Sequence, residues 1–264
     1  DTCNFLNITY YEPTGGMNLL FNTMTLKNTD FVQCYGVPSA SAGGLMNLIN
    51  PKIGSTEQFE LIIINSKFIR NMAPKATLIN VQNSAINIQV QNSVFADNFI
   101  LSSDAVGTGI ISMQSMFNSS LQFQSTTFQL SCVYSTSSIA TFIQVNKPTS
   151  NIAIAISDSL LYVNSSFAGN FFSLSRGQLV NLAISNLTYS TGALDLSPYL
   201  YPSSNYSTCS GSSSYGLLLT DAVNANFDNL KVIGLKIVGL PLFQLSRTPY
   251  NSLPGYVNFS NSNF

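Results

Sequence analysis

The chain has 264 residues, of which 45% are hydrophobic, so one large domain with a substantial core can form. Only 8% of its residues are charged and the net charge is −1, against about 25% charged residues in an ordinary globular domain. No basic patch can be assembled to neutralise phosphates, which excludes nucleic acid as a partner. Histidine is absent, which excludes a Ser-His-Asp triad and an imidazole metal site.

A mean hydropathy of +0.22 leaves a nearly neutral chain poorly protected against association, so we expect glycans or self-assembly to cover its surface. The most apolar stretch, 232–245, is interrupted by Lys236 and Pro241 and is too short to cross a bilayer. We therefore expect no membrane insertion. The chain opens at Asp1 without a signal peptide, as we expect of a processed chain.

The first predicted element is a strand that ends in a polar leading residue, with an aromatic or aliphatic residue three positions later. The residues two and four positions before each leading residue are apolar, which predicts a strand with one buried face. Six leading residues are Asn: Asn28, Asn65, Asn92, Asn186, Asn229 and Asn261. The copies are Asn28–Phe31, Asn65–Phe68, Asn92–Phe95, Ser125–Phe128, Asp158–Leu161, Asn186–Tyr189, Asn229–Val232 and Asn261–Phe264.

The second predicted element is two apolar residues, a spacer and usually a third apolar residue. It alternates strictly with the first element, so each repeat carries at least two strands. Its copies are Phe5–Ile8, Leu45–Leu48, Leu78–Val81, Ile110–Met113, Phe142–Val145, Phe171–Leu174, Leu217–Thr220 and Leu242–Leu245.

Together the two elements predict an all-β, single-domain parallel β-helix solenoid over residues 1–264, with about eight coils of about 33 residues each. Asn tolerates the left-handed backbone that a strand-to-turn corner requires. Its amide both donates and accepts, so amides one coil apart can form a hydrogen-bonded ladder. We interpret the Asn column as this structural ladder.

The pattern resembles the right-handed parallel β-helices of the pectin-lyase-like superfamily. Its repeats are most similar to the Asn-x-x-Phe repeats of polymorphic outer-membrane proteins and related adhesins. The resemblance covers the whole chain and implies a right-handed solenoid, in line with the handedness of parallel crossovers. It implies little about activity, because this fold serves lyases, hydrolases, adhesins and fibre subunits alike.

No amphipathic helix is predicted to cap either end, and the repeat is in phase at both ends. Solenoids depend on caps to prevent polymerisation. The pattern therefore favours a segment of a longer solenoid or copies that stack head to tail, with short irregular plugs as the alternative. The expected partner is the chain itself.

Irregular spacing predicts a long loop insertion at about 190–216. Its segment 197–214 is rich in Tyr and is a possible binding loop for cell-surface glycans through Tyr199, Tyr201 and Tyr206. A tolerated insertion without a ligand is the alternative interpretation.

The four cysteines show no metal-binding spacing. We expect two disulfides in an oxidising compartment, with four buried free thiols as the alternative. Cys34 and Cys132 each lie shortly after the aromatic residue of a first predicted element, and Cys3 lies one coil before Cys34. This favours Cys3 with Cys34 and Cys132 with Cys209 over the other two connectivities.

The eleven acids are scattered. Asp97 and Asp104 could meet in one turn and Asp221 and Asp228 in another, but neither pair has an evident basic partner, so we interpret them as solvated turn residues. We expect no enzymatic activity, no metal and no cofactor.

Six Asn-x-Ser/Thr triplets occur, about as many as chance gives in so Asn-rich a chain. Position selects Asn7, Asn118, Asn164, Asn205 and Asn258 as exposed glycosylation candidates. Asn186 belongs to the ladder and is expected to be buried and unmodified.

These expectations combine into a function: a secreted, non-enzymatic structural protein that forms part of an extracellular fibre or surface coat by end-to-end stacking. Its expected location is extracellular, at the cell surface, with N-linked glycans as its covalent additions. The alternative is an adhesin or carbohydrate-binding module that uses loop 197–214. A polysaccharide lyase or hydrolase is the third hypothesis, and it requires acids gathered on one face.

Overall fold

The structure is a computed structural model of the chain, and it describes fifteen ranges. They are 3–6, 8–10, 16–19, 21–36, 44–49, 58–73, 76–100, 109–130, 140–163, 168–175, 179–199, 214–220, 224–234, 241–245 and 255–264. These ranges form β-strands almost throughout, with a 3-10 helix at Ser197–Tyr199.

The strands follow one another in chain order as β1 (Cys3–Leu6), β2 (Thr9–Tyr10), β3 (Met17–Asn18), β4 (Thr23–Lys27), β5 (Thr29–Val32), β6 (Tyr35–Gly36), β7 (Met46–Ile49), β8 (Gln58–Ile64), β9 (Lys67–Ile69), β10 (Met72–Ala73), β11 (Ala76–Gln82), β12 (Ala85–Gln91), β13 (Val94–Ala96), β14 (Phe99–Ile100), β15 (Gly109–Gln114), β16 (Ser119–Gln124), β17 (Thr127–Leu130), β18 (Ala140–Asn146), β19 (Ile152–Val163), β20 (Ala168–Leu174), β21 (Val180–Thr191), β22 (Ser214–Thr220), β23 (Asn224–Asp228), β24 (Lys231–Ile233), β25 (Phe243–Leu245) and β26 (Tyr256–Ser260).

The described strands form three sheets, and every pairing between them is parallel. Sheet 1 has 14 strands in two arms. Its first arm contains β4, β8, β12, β16, β23 and β26, its second arm contains β1, β5, β9, β13, β17 and β24, and the long strands β19 and β21 run through both arms. Sheet 2 contains β2, β6, β10 and β14, and sheet 3 contains β3, β7, β11, β15, β18, β20, β22 and β25.

Each strand in the interior of a sheet pairs with the strand one repeat earlier and the strand one repeat later, and we call such neighbouring strands rungs. The separation along the chain varies from repeat to repeat: it is 27 residues between Ser66 and Ser93 and 43 residues between Asn186 and Asn229. Parallel strands cannot be joined by a tight hairpin, so the chain of each repeat passes through the other sheets before it adds the next strand to the same sheet.

The core lies between the sheets and is built by alternation. In β12 the inward residues Ile86, Ile88 and Val90 are buried, and they pair in register with apolar residues of β8. The aromatic residue of the first repeated element forms a column of stacked rings. Phe31 and Phe68 have ring centroids 5.1 Å apart at an interplanar angle of 12°, a favourable offset arrangement for aromatic pairs.

The leading residue of every first element has a left-handed backbone, so the chain turns at the same position in each repeat. The φ angles are 50° at Asn28, 50° at Asn65, 49° at Asn92, 51° at Ser125, 52° at Asp158, 52° at Asn186, 52° at Asn229 and 50° at Asn261. Asn and Asp adopt this conformation more readily than other L-residues because their short polar side chains can bond locally.

Side-chain amides join some of these corners. Asn65 Nδ2 donates to Asn28 Oδ1 at 3.4 Å, and Asn186 Nδ2 donates to Asp158 Oδ1 at 2.8 Å. The last corner differs, because Asn261 Nδ2 donates to Asp228 at 2.9 Å.

A second, buried ladder of hydroxyl groups follows the corners, and the sequence interpretation missed it. Ser66 Oγ accepts the backbone N–H of Thr29 at 3.1 Å, and Ser93 Oγ accepts the backbone N–H of Ser66 at 3.1 Å. Each hydroxyl in turn donates to the carbonyl oxygen two residues earlier, as Ser93 does to Gln91 at 2.8 Å. The hydroxyls thereby provide hydrogen-bond partners for backbone groups beside the corner, which are not bonded to the backbone of a neighbouring strand.

Seven copies of the second predicted element were assigned correctly. The assignment of its first copy, Phe5–Ile8, was wrong. Phe5 lies in β1, pairs with Phe31 of β5 and stacks on that ring with centroids 4.6 Å apart. It therefore belongs to the aromatic column of sheet 1. The sheet 3 strand of that repeat is β3, where Met17 pairs with Met46. Gly16 stands where the other copies have their first apolar residue, which hid this strand from the pattern.

Candidate functional site

Residues 192–199, which we call the strap, cross the outer surface of the second arm. Leu196 is buried there at 6% exposure against Val32, Ile69 and Ala96 of three successive rungs. The outward positions of these rungs are apolar because the strap covers them. The alternating pattern of the sequence identified the inward faces. The apolar residue that directly follows the aromatic position in these three copies was a signal for the outer patch that the sequence interpretation did not use.

The strap is held at several further points. The Leu194 backbone N–H donates to Gln129 Oε1, and Gly192 lies against the ring of Tyr162. A Cβ atom at Gly192 would come within 2.8 Å of that ring, so the close approach requires glycine. Asp195 caps the 3-10 helix by accepting the backbone N–H of Ser197 at 2.9 Å, and the side-chain and backbone hydrogen bonds from Ser197 lower the pKa of Asp195.

Tyr199, one of the predicted binding-loop residues, faces the scaffold. The ammonium group of Lys67 lies 5.0 Å from the centroid of its ring, within cation–π range. Lys67 also pairs with Asp30 at 3.5 Å. The hydrogen bond with Tyr199 outweighs the opposing effect of burial and raises the pKa of Lys67 above its usual 10.5, and the nearby Asp30 charge adds to the rise. Tyr201 and Tyr206 lie outside the described residues.

A buried polar network lies near the strap. Arg70 Nε is 3.7 Å from Asp97 Oδ2, and Gln129 Nε2 donates to Asp97 Oδ1 at 2.9 Å. Asp97 is only 6% exposed, so its interpretation as a solvated turn residue without a basic partner was wrong. Its partners come from the rungs on either side, which sequence spacing alone did not reveal. Asp104 and Asp221 lie outside the described residues, and Asp228 is exposed at the end of β23.

The outward positions of β12 and β16 on the first arm carry uncharged amide and hydroxyl side chains. Gln89 pairs in register with Gln122, and Gln91 pairs with Gln124. Together with Ala155 and Ser157 these glutamines line a shallow depression on the face. The hydroxyl of Ser120 donates to Asn87 at 2.8 Å on the same face. The amides offer hydrogen bonds to solvent or to a neutral partner.

The last rung, which we call the terminal edge, exposes the aromatic column of the core. Phe259 stacks on Phe227 with centroids 4.9 Å apart, while Phe243 and Phe264 pack edge-to-face against Phe259. Phe259 is nevertheless 40% exposed and Phe264 is 63% exposed. Tyr256 and Leu245 are also more than half exposed. This is the largest concentration of exposed apolar side chains among the described residues.

The opposite rung, which we call the first edge, presents the start of the same columns. Phe5, Met17 and Met24 are only partly buried, and Leu6 and Ile8 are exposed at 39% and 41%. Within the described residues, β4 pairs only with β8 and β26 pairs only with β23. Each therefore has one side on which no described strand pairs with it.

The glycosylation candidates fall on both sides of the described boundary. Asn118 and Asn258 are exposed, and Asn118 Oδ1 accepts a 3.1 Å hydrogen bond from Ser150. Asn7, Asn164 and Asn205 lie outside the described residues. The expectation that Asn186 is buried was wrong, because its side chain is exposed at the outer corner. Its amide donates to Asp158 and accepts from Asn229 at 2.7 Å.

The expected disulfide between Cys3 and Cys34 is not formed. Cys3 is an exposed free thiol that pairs in register with Thr29, whereas Cys34 is a buried free thiol whose sulfur contacts the carbonyl oxygen of Phe5. The parallel register thus places Cys34 beyond the end of the strand that Cys3 begins, so the two thiols do not meet. Burial raises the pKa of Cys34 to about 11. Cys132 and Cys209 lie outside the described residues.

Within the fifteen described ranges, no group of three or more acidic or cysteine side chains is placed to hold a metal ion. The same residues include no helix with the length and apolar character needed to cross a membrane. No known protein family matches the chain, and neither a curated protein nor a solved structure matches it.

Proposed function

We propose that this chain is a right-handed parallel β-helix of about eight coils that acts as a secreted, non-enzymatic structural protein of an extracellular fibre or surface coat. The parallel pairing of neighbouring rungs and the corner that recurs in each repeat support the solenoid. The repeats resemble those of the pectin-lyase-like superfamily in their Asn-x-x-Phe pattern. Right-handedness follows the general rule for parallel crossovers.

The stacking of neighbouring rungs carries the structural role. Phe259 covers Phe227 with ring centroids 4.9 Å apart, and the strands of neighbouring rungs pair in parallel. Parallel pairing and stacked apolar columns can be continued by further coils of the same kind. We therefore propose end-to-end stacking of β-helix coils as the means by which the protein builds a longer rod.

A secreted location is supported by the surface chemistry. Only 8% of all residues are charged, so hydration must come mainly from amides, hydroxyls and added groups. Asn118 and Asn258 are exposed sequon residues in the described part of the chain, and N-linked glycans there would supply hydration. The glycans are the covalent additions that we propose.

The proposal is tested by the size and shape of the native, glycosylated protein. Light scattering and electron microscopy are expected to show rods longer than one chain, whose mean length rises with concentration. Phe264→Asp would place a charge on the terminal edge and is expected to shorten the rods. The matched control is Gln89→Asp on the lateral face of β12, which should leave rod length unchanged. Dispersed single rods at every concentration would refute the structural role.

A further inference from the structure

We propose that the outer face of the first arm binds the same face of a second copy, with the order of the rungs reversed between the two copies. The surface consists of the outward residues of β8, β12, β16 and β23 and of segments 152–157 of β19 and 180–185 of β21, and we call it the lateral face. This inference goes beyond the proposed function, because it concerns lateral pairing and not growth in length. The relief, the charges and the area of the face support it.

The lateral face has a ridge of long side chains beside a trough of short ones. The ridge consists of the glutamines of β12 and β16, which pair in register: Gln89, Gln91, Gln122 and Gln124. The same columns continue on the next two rungs with short side chains, which form the trough: Ala155, Ser157, Ala183 and Ser185. A face that carries both a ridge and a trough can be complementary to itself.

A two-fold axis parallel to the strands, midway between β16 and β19, brings ridge and trough together. It reverses the order of the rungs and keeps the position along each strand, so Gln122 of each copy faces Ala155 of the other. β12 then faces β21, which places Gln89 opposite Ala183. Packed sheets lie about 10 Å apart and interdigitate their side chains. Each long side chain therefore enters the space above a short one.

The opposite polarity does not fit the relief. A two-fold axis perpendicular to the strands, within the interface, would set each rung against the same rung of the second copy. Gln89 would then face Gln89 and Ala183 would face Ala183. The ridges would collide and hold the troughs apart, and an unfilled gap forfeits dispersion contacts along its lining. The relief therefore selects the reversed order of rungs.

The charges favour the same arrangement. The outward positions of the four central rungs carry no charged residue, and charged groups are depleted from the centres of interfaces because they are costly to desolvate. At the rim, β23 faces β8, so Asp228 faces Ile64 and Asn224 faces Glu60. Lys27 pairs in register with Ile64, so it lies one rung, about 5 Å, from the point opposite Asp228. Lys27 and Asp228 are both exposed, and the two-fold axis brings them together twice.

The area is sufficient for a specific interface. Six rungs span about 29 Å along the stack, and three outward positions span about 20 Å along each strand. Two copies would bury about 1,150 Å² in total, above the roughly 1,000 Å² that a specific interface should reach. The exposed sequon residues lie outside this area, because Asn258 is in β26 and Asn118 is at the corner before β16. Glycans at these positions border the lateral face and leave its centre free.

Site-specific cross-linking tests the pairing and its polarity. Two full-length glycosylated variants, Gln89→Cys and Ala183→Cys, place thiols at facing outward positions and leave every sequon intact. They are mixed and treated with a short bismaleimide, and the joined peptides are identified by mass spectrometry. This readout separates the new links from those of the native cysteines. Each variant carries only one of the two thiols, so a link between positions 89 and 183 must join two copies.

We expect links between positions 89 and 183 to be at least tenfold more abundant than links from either position to itself. In the reversed order, the two copies of either position lie three rungs apart along the stack, about 14 Å, in addition to the separation of the sheets. The matched control is Leu160→Cys, an outward residue of the second arm that is 39% exposed, and it should not link to position 89.

A second variant tests the pairing without cross-linking. Gln122→Glu places two like charges beside the two-fold axis, where the second copy excludes water. Electron microscopy of the unaltered protein is expected to show particles twice the width of a single chain. Gln122→Glu should lower the paired fraction at least tenfold and leave rod length unchanged.

Predominant links from position 89 to itself, or equal linking of positions 89 and 160, would overturn this inference. Unlinked particles of single width would overturn it as well, and binding of those particles to a neutral glycan on an array would assign the face to a sugar. These results leave growth in length untouched. Particles that pair laterally and never exceed the length of one chain would refute end-to-end stacking and leave this inference standing.

Discussion

Asn229 Nδ2 donates a 2.7 Å hydrogen bond to Oδ1 of Asn186 one rung earlier, and both residues have φ 52°. One side chain thus performs two tasks at the corner. It makes a left-handed backbone acceptable, and it ties the corner to the preceding repeat. The two tasks can be separated experimentally, because glycine serves the first and not the second.

Asn92 tests the backbone requirement, because its φ is 49°. Asn92→Val is expected to lower the free energy of unfolding by about 1–2 kcal/mol, since a β-branched residue is strained at positive φ. Asn92→Gly should lose less, and urea unfolding measures both variants. The control is Gln89→Val on the outer face of β12, where an extended backbone favours valine. Equal losses in the Val and Gly variants would contradict the backbone explanation.

Ser93 tests the buried hydroxyl ladder. Ser93→Ala removes the acceptor of the Ser66 backbone N–H, and a buried unsatisfied donor costs about 1–3 kcal/mol. Ser93→Thr should retain most of the stability, because Thr29 and Thr126 occupy the same position in other repeats. Chemical denaturation compares both variants with the half-exposed control Ser185→Ala. A neutral Ser93→Ala variant would show that the ladder contributes little.

The two described thiols are expected to differ in reactivity. Burial raises the pKa of Cys34 to about 11, so its thiolate is scarce at pH 8 and its sulfur is also inaccessible. Iodoacetamide should label Cys3 in the native protein and Cys34 only after denaturation, as peptide mass spectrometry would show. Equal labelling of both thiols in the native protein, or protection of both in a disulfide, would contradict the described arrangement.

Leu196 is expected to hold the strap on the second arm. Leu196→Ala removes a side chain that is 6% exposed, and such truncations cost about 2–5 kcal/mol. The cost should appear locally, as faster hydrogen exchange over 192–199 with little change in β12. Ala193→Ser, at an exposed strap position, is the control. Unchanged exchange in Leu196→Ala would mean that the strap is held by its other contacts.

Acid is expected to loosen the last rung. The hydrogen bonds from Ser260 and Asn261 lower the pKa of Asp228 below its usual 3.8. A carboxyl group whose pKa is lower in the folded state stabilises that state above its usual pKa, and the stabilisation is lost as pH falls through the folded value. Exchange protection of β26 should therefore fall below about pH 4. Asp228→Asn, which cannot ionise, should lack this pH dependence.

The sequence predicted the parallel sheets well because the strongest signal, apolar alternation beside a polar corner, repeats in every copy. The positions of Met24, Leu26 and Phe31 were fixed by that pattern. Contacts between distant segments were not predictable in the same way. Leu196 lies in a segment that has no periodicity, yet it packs on three rungs. Asp97 forms an ion pair with Arg70 of the previous repeat. Such contacts depend on the path of irregular segments, which spacing does not encode.

Two further errors have local causes. Phe5 was assigned to the second predicted element because a short apolar group at the start of the chain fits both repeated elements, and only the pairing with Phe31 distinguishes them. Asn186 was expected to be buried because a ladder suggests an interior. The amides instead form their hydrogen bonds at the outer corner, where the side chain remains exposed.

Pairing only between adjacent repeats has an evolutionary consequence. A duplication or deletion of one whole repeat leaves every remaining strand with neighbours of the same kind, since each corner and each column residue has equivalents above and below. A gene that encodes this chain can therefore lengthen or shorten its product in units of about one repeat without redesigning the core. An insertion of a few residues is tolerated only between strands, as the 43-residue separation of Asn186 and Asn229 illustrates.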